Sequence, residues 1–181
     1  PGGPLLPPNT DAARPLRVPP EAGHASIDLW TMDAEEQTIA LLLSDNTVRF
    51  IDAITWKLKR TLQRPDEGHT GFRLSADHQT VVSSDGEEVL VWDVNSGLIF
   101  ARLPGYRPAI DSGGRWLALL TGPNQQATVQ LYDLLAPEAP QASWASEVDS
   151  PELALAPGGE RIAVAGCDEL NCRLILLDQE L

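Results

Sequence analysis

Ser83-Ser84-Asp85-Gly86-Glu87-Glu88-Val89-Leu90-Val91-Trp92-Asp93 reads as a tight turn feeding a short buried strand that ends in Trp-Asp. Asp-Gly is a hairpin signal, because glycine accepts the left-handed backbone that a two-residue turn needs. The pattern recurs three times. Asp45-Asn46-Thr47-Val48-Arg49-Phe50-Ile51-Asp52 precedes it; Thr128-Val129-Gln130-Leu131-Tyr132-Asp133 and Arg173-Leu174-Ile175-Leu176-Leu177-Asp178 follow it. From Asp52 to Asp93 to Asp133 to Asp178 the steps are 41, 40 and 45 residues. A near-constant period of this size marks a repeat architecture.

Working outward, the columns agree. Four residues before each aspartate stand Val48, Val89, Val129 and Leu174; two before stand Phe50, Val91, Leu131 and Leu176; one before stand Ile51, Trp92, Tyr132 and Leu177. Neighbouring residues on a strand point to opposite faces, so both faces of this strand are apolar. A strand sandwiched between two sheets needs that pattern. The expectation is all-β: β-propeller blades of four antiparallel strands, with about four blades visible over approximately 27–63, 71–104, 108–146 and 151–181.

Within each repeat the elements follow in order. Ile27-Asp28-Leu29-Trp30 alternates as an inner strand, and Thr38 to Leu43 is an apolar run covered on both faces. Trp56 to Leu62 is a more polar outer strand, with Lys57, Lys59 and Arg60 as protection against edge pairing. The second repeat copies this with Phe72 to Leu74, Thr80 to Ser83, Val89 to Trp92 and Leu98 to Leu103. The third has Ala109-Ile110, Trp116 to Leu120 and Val129 to Tyr132, with Gln141 to Ser146 supplying the outer strand. The fourth has Leu153 to Leu155, Arg161 to Ala165 and Leu174 to Leu177, and no outer strand. Residues 1–26 differ: seven of the fifteen prolines fall there, which favours an extended arm or linker over helix or central strand. Within it, Leu16-Arg17-Val18 has the makings of an edge strand.

These residues resemble a WD40-type or WD40-like β-propeller from about Ile27 to Leu181. The resemblance is carried by Trp92-Asp93, by its degenerate copies Ile51-Asp52, Tyr132-Asp133 and Leu177-Asp178, and by the turns at Asp45 and Asp85-Gly86. It implies a buried hydrogen-bond network in which Ser83, Asp85 and Trp92 take part, beside the repeat aspartate Asp93. Gly68-His69 resembles the family's Gly-His pair, but its spacing to the Ser75 turn is too short to complete the network. Three arrangements accommodate the repeats: four blades of a larger propeller, a small ring closed by Leu16 to Val18, or a ring completed by two chains. The first is preferred.

Thirteen basic and 26 acidic residues give a net charge of −13. That field repels nucleic acid and anionic membranes. Apolar runs such as Ile39 to Leu43 are far too short for a membrane span. Cys167 and Cys172 flank a predicted hairpin turn, where two readings stand: a disulfide or two free thiols. A disulfide implies an oxidising compartment, and the localisation leans extracytoplasmic on this pair alone.

Asp111-Ser112-Gly113-Gly114 copies a protease nucleophile motif, yet it falls where Ser75-Ala76-Asp77-His78 and Ala156-Pro157-Gly158-Gly159 make turns, and turn chemistry accounts for it. Adjacency of Ser112 and His78 would argue for a hydrolase. Asp33, Asp45, Asp85 and Asp111 sit at turns for the same reason, and no cofactor or metal is expected. Trp92 and Trp116 lie in core strands and are expected to pack; Trp30, Trp56 and Trp144 are near strand ends or edges, where exposed aromatics anchor partners. The function expected is a non-catalytic protein–protein interaction scaffold with unknown protein partners. The alternative is a small-ligand sensor or hydrolase with a site at the central channel.

Overall fold

A computed structural model describes residues 25–32, 37–45, 47–63, 71–123, 126–167 and 171–178. The expected arm of residues 1–26 therefore lies outside the described residues up to position 24, as do Asp33, His69 and Leu16 to Val18.

The described residues form four antiparallel sheets in chain order. The first blade is β1 (Ile27–Met32), β2 (Thr38–Leu43), β3 (Thr47–Asp52) and β4 (Leu58–Gln63). The second is β5 (Gly71–Leu74), β6 (Thr80–Ser84), β7 (Glu88–Asp93) and β8 (Ile99–Pro104). The third is β9 (Tyr106–Ile110), β10 (Trp116–Thr121), β11 (Thr128–Asp133) and β12 (Ala142–Ala145). The fourth has three strands, β13 (Glu152–Leu155), β14 (Arg161–Cys167) and β15 (Cys172–Asp178). The first strands of successive blades are neighbours, β1 beside β5, β5 beside β9 and β9 beside β13. The blades thus turn about a common inner side.

Three apolar layers join the blades. Ala40, Leu42, Val48 and Phe50 meet Phe72, Val81, Leu90 and Trp92. Val82, Val89 and Val91 meet Leu117, Leu119 and Tyr132. Ala118, Leu120, Val129 and Leu131 meet Ile162 and Val164, with Leu153, Ile175 and Leu177 alongside. In each layer the residues two and four before the repeat aspartate face forward to the next blade, and the residue one before it faces back. The alternation of the strand therefore builds both interfaces of a blade at once. Trp92 is fully buried and stacks edge-on to Phe72 with ring centroids 6.4 Å apart.

Three of the four repeat aspartates, Asp52, Asp93 and Asp133, hold the turn after the third strand. Asp52 Oδ1 accepts from the Ile54 amide, the Thr55 amide and the Thr55 hydroxyl. Asp93 Oδ1 accepts from the amide and hydroxyl of Ser96. Asp133 accepts from the Leu135 amide and takes a two-pronged contact from Arg115, at 3.1 and 2.6 Å. Asp178 accepts from Arg161 Nε at 3.1 Å. At Asp52, Asp93 and Asp133 these contacts favour the charged carboxylate. The Thr55 amide and hydroxyl hold Asp52 down to about 2. The Ser96 amide lowers Asp93, and Arg115 lowers Asp133.

One expectation is corrected. The fourth strand of the first blade begins at Leu58, not Trp56. Trp56 lies in the Asp52 turn at φ 60, with its amide donated to the Asp52 carbonyl. Trp116, on β10, is half-buried and packs against the third layer, with Arg115 5.1 Å above its ring.

Candidate interaction surfaces

One rim is built from the turns between first and second strands. Asp111 is its centre. It is only 3% exposed, and its carboxylate accepts from the amides of Arg115 (2.9 Å), Trp116 (2.8 Å) and, across the blade boundary, Gly158 (3.2 Å). The Asp77 amide likewise donates to the Ser112 carbonyl at 3.1 Å, joining the second blade to the third. The turns of Ser75–His78 and Asp111–Gly114 therefore do meet, but through backbone. Ser112 is exposed, and its hydroxyl is bonded to no side chain among the described residues.

The opposite side opens onto the inner strands. A cavity of about 590 Å³ lies between the starts of β5, β9 and β13, closed by the turns at Ser84–Gly86 and Gly122–Pro123. Arg73, Asp85, Tyr106, Arg107 and Glu152 supply its polar lining. Arg107, at φ 49, donates through one nitrogen to the carbonyls of Ser150 (2.8 Å) and Pro151 (2.9 Å) and lies 3.3 Å from Glu152 Oε1. Asp85 Oδ1 accepts from the Glu87 and Glu88 amides, each at 2.8 Å, closing its own hairpin.

The third surface is the forward face of the fourth blade. Leu174 is 68% exposed and Leu176 63%. Their counterparts in the first three blades, Val48, Phe50, Val89, Val91, Val129 and Leu131, are all 4% exposed or less.

No family model matches this chain, and no curated protein matches it. Solved structures do. One described as the structure of U3-55K has a TM-score of 0.63 at 15% sequence identity, over 85% of this chain and 51% of that one. A crystal structure of RRP9 WD40 repeats also gives 0.63 at 15%, over 86% of this chain and 51% of that one. The fold is that of WD40 repeats.

The chain spans about half the length of the WD40 structures it matches. In this WD40 frame Ser83 is buried on β6 opposite Leu90, and Asp85 caps the following turn. Among the described residues the buried Trp92 Nε1 has no hydrogen-bond partner. Asp93 holds the next turn. Cys167 and Cys172 face each other across the β14–β15 pairing and are joined in a disulfide, with Cα atoms 4.0 Å apart. Of the edge tryptophans, Trp30 is 62% exposed and Trp56 45%, whereas Trp144 packs against the third layer. Among the described residues no group of three or more His, Cys, Asp or Glu side chains is placed to hold a metal. Sequence reasoning passed over Arg73, Arg107 and Tyr106, which sit in runs with no motif; only the alignment of the inner strands would have marked them.

Proposed function

We propose that this chain is a non-catalytic protein-interaction module, part of a larger WD40-type ring, which seats a further β-sheet on the forward face of its fourth blade. One observation carries the reading: Leu174 and Leu176 occupy columns that are buried in the three preceding blades and are exposed in this one. Fully burying a leucine side chain is worth about 1.5–3 kcal/mol, so covering both is a substantial drive to association. The sheet to be seated presents the complementary back-face pattern seen in Val81, Leu117 and Ile162. The exposed, base-free Ser112 supports a scaffold over a hydrolase. The Cys167–Cys172 bridge supports an oxidising, extracytoplasmic setting, and the net charge of −13 supports protein partners over nucleic acid.

Light scattering and binding of an environment-sensitive apolar dye test the reading. The wild-type chain should associate at high micromolar concentration or bind the dye. Leu174→Lys/Leu176→Lys should do neither, with an unchanged melting temperature. A monomeric wild-type chain that binds no dye would sink the proposal.

A further inference from the structure

The two ends of the row of blades are not alike. The forward face of the fourth blade is open at Leu174 and Leu176. The back face of the first blade is closed. Ile39, Leu41 and Leu43 on β2 and Ile51 on β3 form one cluster there, and each is 3% exposed or less. Ile39 pairs with Ile51 as Val81 pairs with Trp92, Leu117 with Tyr132 and Ile162 with Leu177. In those later blades the preceding blade covers this column. No blade precedes the first among the described residues. The partly buried apolar residues beside the cluster are Ala25 and Ala53, and two methyl groups do not enclose four large side chains.

The limits of the covered strip say what shape the cover has. On β1, Trp30 stands opposite Leu41 and Met32 opposite Ile39, and both are exposed. On β4, Leu58 stands opposite Ile51 and is exposed as well. The enclosed strip is thus two strands wide, about 10 Å. A seated sheet reaches further: in the second blade the inner-strand residue Phe72 is buried along with Val81 and Trp92. A single extended segment fits the strip.

Residues 1–24 supply one. They carry Leu5, Leu6, Leu16 and Val18, whereas the other segments outside the described residues are polar and hold at most one leucine each. The arm also joins the blade at this face, since Ala25 packs on the cluster and Ser26 exchanges hydrogen bonds with Ser44 at the end of β2. We propose that Leu16-Arg17-Val18 seats across β2 and β3 on the back face of the first blade and closes it. Alternation turns Leu16 and Val18 inward and Arg17 to solvent. Leu5-Leu6 lacks that alternation. Pro15, Pro19 and Pro20 keep the segment extended and at an edge. The seven steps from Val18 to Ala25 span about 23 Å when extended, enough to run back along a strand of six residues, about 20 Å. The arm is then a placeholder: a sheet closing the ring on this face has to displace it. The proposal concerns the opposite end of the row from Leu174 and Leu176 and does not rest on the reading of that surface.

Two measurements on the full chain test it. Within residues 1–24 trypsin has one bond to cut, Arg17–Val18, because the other arginine, Arg14, precedes Pro15. In the folded protein this bond should be cut about tenfold or more slowly than in a free peptide of residues 10–24. Leu16→Ser/Val18→Ser should be cut nearly as fast as a peptide with the same changes, and Leu5→Ser/Leu6→Ser should keep the wild-type protection. Hydroxyl-radical footprinting read by mass spectrometry supplies the second measurement. In the wild type Leu41 and Leu43 should label at background while Leu174 and Leu176 label strongly. In Leu16→Ser/Val18→Ser, Leu41 and Leu43 should label several-fold more, with Leu174 and Leu176 unchanged. Cutting of wild-type Arg17–Val18 at the peptide's rate, or release by Leu5→Ser/Leu6→Ser instead, would overturn the proposal. So would unchanged labelling of Leu41 and Leu43 in the Leu16→Ser/Val18→Ser chain.

Discussion

Asp111 is the residue whose role is least visible in its own neighbourhood. Within the sequence it belongs to a polar turn; in three dimensions its buried carboxylate ties the amides of two blades. Asp111→Ala leaves several buried amides without an acceptor and should cost about 2–4 kcal/mol in denaturant unfolding. Asp111→Asn keeps one acceptor oxygen and should recover part of this. The repeat aspartates act at the surface, and their effect is read through pH. The folded pKa values of Asp52, Asp93 and Asp133 lie below the unfolded value, so their contribution is complete above about pH 5 and fades as pH drops toward 2. The melting temperature should be flat from about pH 7 to 5 and decline between about 4 and 2. Asp52→Asn/Asp93→Asn should make that decline shallower; an equally steep one would show that other groups titrate.

At the level of elements, the join between β8 and β9 leaves no room for a side chain. Gly105 has φ +147, and a Cβ there would stand 2.6 Å from the Leu120 carbonyl oxygen. Gly105→Ala should therefore cost more than about 2 kcal/mol, with the loss concentrated at the contact of the second and third blades. The β7 strand gives a contrasting pair. Trp92→Ala opens a large cavity and should cost about 3–5 kcal/mol. Trp92→Phe removes a donor that has no acceptor among the described residues and should cost less than about 2 kcal/mol. The Cys167–Cys172 bridge closes a short loop, worth about 2 kcal/mol in chain entropy. Reduction should lower stability by no more than that, with faster amide exchange in β14 and β15 first.

For the whole molecule, the blades form a row in which each is clamped by its neighbours, and stability should be nearly a sum of blade and interface contributions. The fourth blade has one clamped face and one open face. It should exchange its amides faster than the second blade, which is covered on both sides. Native-state hydrogen exchange checks this order, and a partner seated on Leu174 and Leu176 should abolish the difference.

The periodic aspartates, the two-faced third strand and the polar outer strands were legible in the chain itself, because turn capping and face alternation are local demands that every repeat must meet with similar residues. The extent of β4 and the fate of Trp56 were not, since Asp52 spends four residues on its turn before pairing resumes. The cross-blade grip of Asp111 and the exposure of Leu174 and Leu176 were decided only by tertiary structure. Each depends on which groups from distant repeats come within hydrogen-bonding or packing distance, and no spacing along the chain encodes that.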